Sequence, residues 1–101
     1  MILILSLACA SREDDPEVAA VLDLEGLASQ GAPLYAENCS TCHGEDASGL
    51  DRGPDLRNFT AAGEPRYVEQ VLYGTGYSMP GFRQTLADQE IADIVAWLHE
   101  Q

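Results

Sequence analysis

The sequence predicts an all-α fold with three or more helices. Three stretches place apolar residues at helical spacing, and no run alternates with the period of two that marks a half-buried strand. The linking segments, such as Gly49 to Pro54 and Gly74 to Gly81, are rich in glycine and proline. Irregular backbone of this kind is expected where a chain wraps something other than its own side chains. The region carrying the helices is also small. A domain of about 70 residues buries only about 60% of its surface and usually needs a staple, a metal or a cofactor. Size and loop composition therefore predict a prosthetic group before any motif is read.

Composition narrows the function classes. The chain has 101 residues, 17 acidic side chains and 5 basic ones, for a formal charge of −12. Every basic residue is arginine: Arg12, Arg52, Arg57, Arg66 and Arg83. No nucleic-acid partner is expected, because that role needs a basic face to neutralise phosphates. The length allows one small domain and excludes a multidomain enzyme. Hydrophobic content of 46% fits a globular domain.

Residues 1–10, MILILSLACA, are read as a signal or lipobox segment. The apolar run is shorter than the roughly 20 residues of a membrane-spanning helix and resembles the hydrophobic region of a secretory signal, although no basic residue precedes it. Leu5-Ser6-Leu7-Ala8-Cys9 resembles a bacterial lipoprotein box, which makes Cys9 a candidate lipid-attachment site. Ala8-Cys9-Ala10 also fits a plain cleavage site, and a short buried apolar segment is the third reading. Residues 11–29 carry six carboxylates against one arginine and are expected to form a flexible acidic tether. A weak apolar pattern within them (Val18, Val21, Leu22, Leu24, Leu27) leaves room for a frayed helix.

The folded domain is expected over residues 30–101. Its first helix is placed from about Gln30 to Cys42. The second follows Pro65, a good first helical residue, and runs through Tyr67, Val68, Val71 and Leu72 to a stop at Gly74 and Gly76. The third is placed from Asp88 to Glu100. There Ile91, Ile94, Val95 and Leu98 form one apolar stripe flanked by Trp97.

Cys39-Ser40-Thr41-Cys42-His43 decides the chemistry. Its spacing matches covalent haem attachment, in which two thiols add to the two vinyl groups of one haem and the adjacent histidine lies under the ring. A redox dithiol does not need the histidine and sits in a strand–helix context absent here. A zinc site needs a second pair of ligands, and only Cys9 and His99 remain. A disulfide between Cys39 and Cys42 would close a very small loop.

With this motif the chain resembles the class I c-type cytochromes, and the resemblance covers nearly all of residues 30–101. Gly31 and Tyr35, eight and four positions before Cys39, stand where the family lets its first helix cross the last. Trp97 matches the aromatic that the last helix presents to that crossing. Gly53-Pro54-Asp55-Leu56 looks like the segment whose proline carbonyl accepts a hydrogen bond from the haem histidine, a contact that orients the ring. Gly76 to Phe82 resembles the loop that brings a methionine to the iron, and Met79 is the only methionine besides Met1. The resemblance thus implies a small cytochrome c fold around one haem c, bound through Cys39 and Cys42, with His43 and Met79 as iron ligands and Pro54 as the orienting acceptor. There are departures. Ala87 stands where the family often caps the last helix with Ser or Thr, so Asp88 or Thr85 is expected to cap instead. The lysine ring that many members use for docking is absent. His99 reads as a surface residue. Arg52, Arg57, Arg66 and Arg83 are all candidates for the haem propionates.

The expected function is one-electron transport rather than catalysis, since a haem held by His and Met has no open position. The protein is expected to be exported, periplasmic or held on the outer side of a membrane through Cys9. It should be a monomer or a subunit of a membrane complex, with redox partners that dock through basic surfaces. An electron-accepting haem subunit of a dehydrogenase or oxidase is the alternative, and a gas-sensing haem module the less favoured one.

Overall fold

The computed structural model describes residues 15–57, 60, 63–76 and 78–101. The segment 1–10, with the lipid-site candidate Cys9, lies outside the described residues, as do residues 11–14. Five helices follow in order: α1 Pro16–Leu22, α2 Ala28–Asn38, α3 Ser40–His43, α4 Glu64–Tyr73 and α5 Asp88–His99. Among the described residues, extended pairing is confined to an isolated bridge between Leu50 and Gly53.

The stretch expected as a flexible tether is folded from Asp15 onward, which is a correction to the domain boundary at residue 30. Asp15 caps α1, its Oδ1 accepting from the Glu17 N–H at 2.8 Å and the Val18 N–H at 3.3 Å. Pro16 occupies the first turn, where its missing N–H is no loss. Val18 and Val21, three residues apart on one face, are 0% and 1% exposed and join the core against α4 and α5. Asp15 and Glu17 stay half-exposed and Asp23 and Glu25 are exposed, so these charges do not conflict with the burial of the two valines. A seven-residue helix offers too few turns for its period to stand out from that charge.

Helix α2 begins at Ala28 rather than Gln30 and ends at Asn38, before the haem motif. A long-range contact fixes its start: the Leu27 N–H donates to Asp93 Oδ1 of α5 at 2.8 Å. Asp93 is buried, and its Oδ1 also accepts from Gln89 Nε2 at 3.0 Å, so the buried carboxylate is satisfied. At Gly31 the two helices touch backbone to backbone, because a Cβ there would fall onto the Asp93 carbonyl. One turn on, Tyr35 meets Trp97 with ring centroids 4.4 Å apart. The Tyr35 hydroxyl is buried and donates to the Gly44 carbonyl at 2.6 Å, tying the crossing to the end of α3.

Helix α4 has Pro65 in its first turn and buries Val68, Val71 and Leu72. It ends at Gly74, whose φ of 76° is open to glycine at little cost. Helix α5 starts one residue after Ala87. Neither Asp88 nor Thr85 caps it. The Glu90 side chain reaches back instead and accepts from the Ala87 N–H at 2.8 Å, supplying half of a capping box.

Candidate cofactor site

A cavity of about 450 Å3 opens between these helices. That is a large space for so short a chain, within the range of small-molecule sites. Its walls come from the end of α2, from α3, from the loop 52–56, from one face of α4, from the loop around Met79, and from Ile94 and Leu98 of α5. The apolar stripe of α5 therefore serves two purposes. Ile94 and Leu98 face the cavity, while Val95 and Ala92 face a small groove of about 110 Å3 between α1 and α4.

The cavity brings together Cys39, Cys42, His43, Pro54 and Met79, five residues singled out in the sequence from three separate segments. Both cysteines are free and partly buried. Burial, with Cys42 close by, pushes the Cys39 thiol up to about 11. His43 is 8% exposed, and its Nδ1 lies 2.9 Å from the Pro54 carbonyl. A carbonyl oxygen only accepts, so Nδ1 carries the proton and Nε2 keeps its lone pair for a metal. Gly53 allows this contact. A Cβ at that position would stand 2.8 Å from the Cys42 carbonyl and from both Cε1 and Nδ1 of the imidazole. The tight Gly-Pro turn is thus a spacing requirement of the histidine beside it.

The arginines divide into two sets. Arg52 and Arg66 line the cavity. Arg57 instead forks onto Asp55, with Nε to Oδ1 at 3.0 Å and Nη2 to Oδ2 at 2.9 Å, and holds the Asp55 carboxyl down at about 2. Arg83 pairs with Glu17 of α1 at 2.6 Å. His99 does not line the cavity; it sits at the surface, 3.3 Å from Glu64 across α4 and α5. Tyr67, Gln70, Thr75 and Phe82 also line it. No role at the site is expected for them from residue spacing. Tyr67 was visible as part of a helix stripe, but nothing in the spacing marks Gln70 or Thr75.

These donors fit a covalently held haem. Two free thiols, an imidazole nitrogen and a thioether surround one largely apolar space that no side chain among the described residues fills. Over residues 26–98 the chain matches the family model described as cytochrome C oxidase, cbb3-type, subunit III.

The chain belongs to this family of cytochromes c.

The cytochrome is 35% identical to a cytochrome c-553-like protein of Synechocystis over 85 residues, covering 83% of this chain and 78% of that one. It is 31% identical to the cytochrome c subunit of a quinone alcohol dehydrogenase from Gluconobacter oxydans, covering 87% of this chain but 21% of that subunit. Among solved structures it resembles cytochrome cL of Methylophaga aminisulfidivorans, with a TM-score of 0.64, 26% identity and coverage of 88% of this chain and 55% of that one. The chain therefore spans about a fifth of the Gluconobacter subunit and about half of the structural relative. Its cofactor is a covalently bound haem c.

Proposed function

We propose that the cytochrome is a one-electron carrier whose haem is attached through Cys39 and Cys42 and held by His43 and Met79. The observation that carries this reading is the 2.9 Å contact between His43 Nδ1 and the Pro54 carbonyl. It fixes the tautomer that presents Nε2 as a ligand, and it holds the ring against rotation. The chemistry that haem c supplies when bound is the Fe(III)/Fe(II) couple. Pro54 raises the basicity of the imidazole. Met79 offers a thioether, which favours the ferrous state relative to a second imidazole. Ile94, Leu98 and Val71 keep water from the cavity. Arg52 and Arg66 supply the positive charge that two propionates need, the other two described arginines being engaged elsewhere. With His43 and Met79 both holding the haem iron, the chain would leave no position there for a substrate.

The protein is exported and works on the outer side of a membrane, with Cys9 as lipid anchor and partners that present basic docking surfaces. A second reading is favoured by the match to a segment of larger subunits, the dehydrogenase subunit above and a cbb3-type oxidase subunit FixPc of Rhizobium leguminosarum at 32% identity. In that reading the cytochrome accepts electrons inside a membrane complex.

A visible spectrum of the oxidised protein, scanned into the far red, tests the ligand set. A methionine–iron band that vanishes in Met79→Ala supports it, and an unchanged band refutes it. Copurification after mild detergent extraction separates the shuttle from the complex subunit. Release of Cys9→Ser from the membrane supports the anchor, whereas a soluble wild type that begins near Ser11 refutes it.

A further inference from the structure

Met79 lies in the turn that leaves α4, and one residue bonds both of its backbone groups. The Thr75 N–H donates to the Met79 carbonyl at 3.1 Å. The Met79 N–H donates to Thr75 Oγ1 at 3.3 Å. Thr75 also lines the cavity. The base of the turn is tied to α4 on both sides. The Gly74 N–H donates to the Gln70 carbonyl at 2.8 Å, and the Phe82 and Arg83 N–H groups donate to the Val71 and Leu72 carbonyls at 2.7 and 3.1 Å. Gly74 passes so close to the returning strand of the turn that a Cβ would stand 2.7 Å from the Gly81 nitrogen. The base of the loop is therefore held by main chain alone, while at Met79 one main-chain bond is joined by a second bond from its N–H to a hydroxyl.

We propose that Thr75 is the positioning residue for Met79. Its hydroxyl gives the Met79 N–H a partner and thereby selects the loop conformation that presents the thioether to the haem. Thr75 does not act on the metal; it reduces the number of conformations among which Met79 must be found. The β-branch contributes, because it leaves Thr75 few χ1 choices and so keeps Oγ1 in place. This inference rests on the reading of Met79 as a haem ligand. A net hydrogen bond of this kind shifts a conformational equilibrium roughly two- to tenfold.

The test compares wild-type holoprotein with Thr75→Val, Thr75→Ser and Met79→Ala. Imidazole is titrated into the ferric proteins, and binding is followed in all of them by the shift of the main haem absorption band, with loss of the far-red band as a second readout where that band is present. Amide hydrogen exchange at Met79 is measured on the ferrous wild type and variants. Thr75→Val should bind imidazole two- to tenfold more tightly and exchange the Met79 amide faster, while Thr75→Ser stays near wild type. Thr75→Val indistinguishable from wild type, or an unprotected Met79 amide in wild type itself, overturns the proposal. The wild-type exchange result decides the matter even if no variant accumulates as holoprotein. Met79→Ala separates the two readings. If it leaves imidazole affinity unchanged, the ligand assignment fails. If it raises affinity while Thr75→Val does not, the positioning role alone fails.

Discussion

At the residue scale, the site depends on small side chains that let larger ones meet. Gly53 is the sharpest case, with its missing Cβ replaced by the imidazole of His43 and the carbonyl of Cys42. Gly53→Ala must push the ring or the turn aside. The His43–Pro54 bond should then weaken, the haem potential should change, and folded holoprotein should melt earlier. Redox titration and thermal melting check this, and an unaltered potential would contradict it. Tyr35 poses a different problem. Its hydroxyl is 1% exposed as a residue and serves the buried Gly44 carbonyl. Burial raises its ionisation to about 12, so it stays protonated as a donor across the usable pH range. Tyr35→Phe should cost about 1–3 kcal/mol in unfolding free energy, because a buried acceptor loses its partner while the stack on Trp97 persists. Denaturant unfolding of holoprotein measures this.

At the element scale, α1 is the departure from what composition implied. Its two valines are fully buried, and its polar N-terminal end reaches residues on either side of the Met79 loop. The Tyr73 hydroxyl at the end of α4 donates to Asp15, and Arg83 beyond the loop pairs with Glu17. These exposed polar contacts are each of small energy; the burial of Val18 and Val21 is what holds the helix. Val18→Asp should therefore detach α1 and cost several times more stability than Glu17→Gln. Unfolding measurements on the two variants check the order, and equal losses would contradict it. Helix α5 shows the complementary case. Asp93 is a carboxylate inside an apolar stripe, and it is tolerated because Leu27 and Gln89 both donate to it. Asp93→Ala should leave the Leu27 N–H unpartnered and loosen the start of α2. Faster amide exchange at Leu27 is the expected sign.

At the scale of the whole molecule, the dominant feature is charge. From residue 30 onward eleven acidic residues face four arginines, within a chain of −12 overall. Two of those arginines line the cavity beside Asp55, and Asp93 is buried, so most of the acidity belongs to the remaining surface. Electron transfer to a basic partner should slow as salt rises, because exposed charges are screened over about 8 Å at 0.15 M. Stopped-flow rates across a salt series measure the slope. A flat profile with the physiological partner would leave the charge as a solubility trait.

Sequence alone identified what is local. The Cys-x-x-Cys-His spacing lies within a turn and a half of chain, Gly53-Pro54 is a dipeptide, and the stripe of α5 repeats at helical period. The motif and the stripe can be read from near neighbours, while the role of Gly53-Pro54 is what the resemblance to the class I c-type cytochromes implied. The crossing of α2 on α5 was expected through the family resemblance at Gly31, Tyr35 and Trp97, and the structure shows why those types suit it: close approach demands a glycine and a stack demands rings. Tertiary structure alone decided which arginines reach the cavity, since a guanidinium is identical in sequence whether it turns to Asp55, to Glu17 or inward. It also decided that α1 belongs to the core: a valine pair amid carboxylates folds only when α4 and α5 provide a surface to bury it. The same holds for Thr75, whose hydroxyl gains its role from a turn closed by the backbone of α4. Contacts between distant segments depend on where the chain returns in space, and residue spacing carries no record of that.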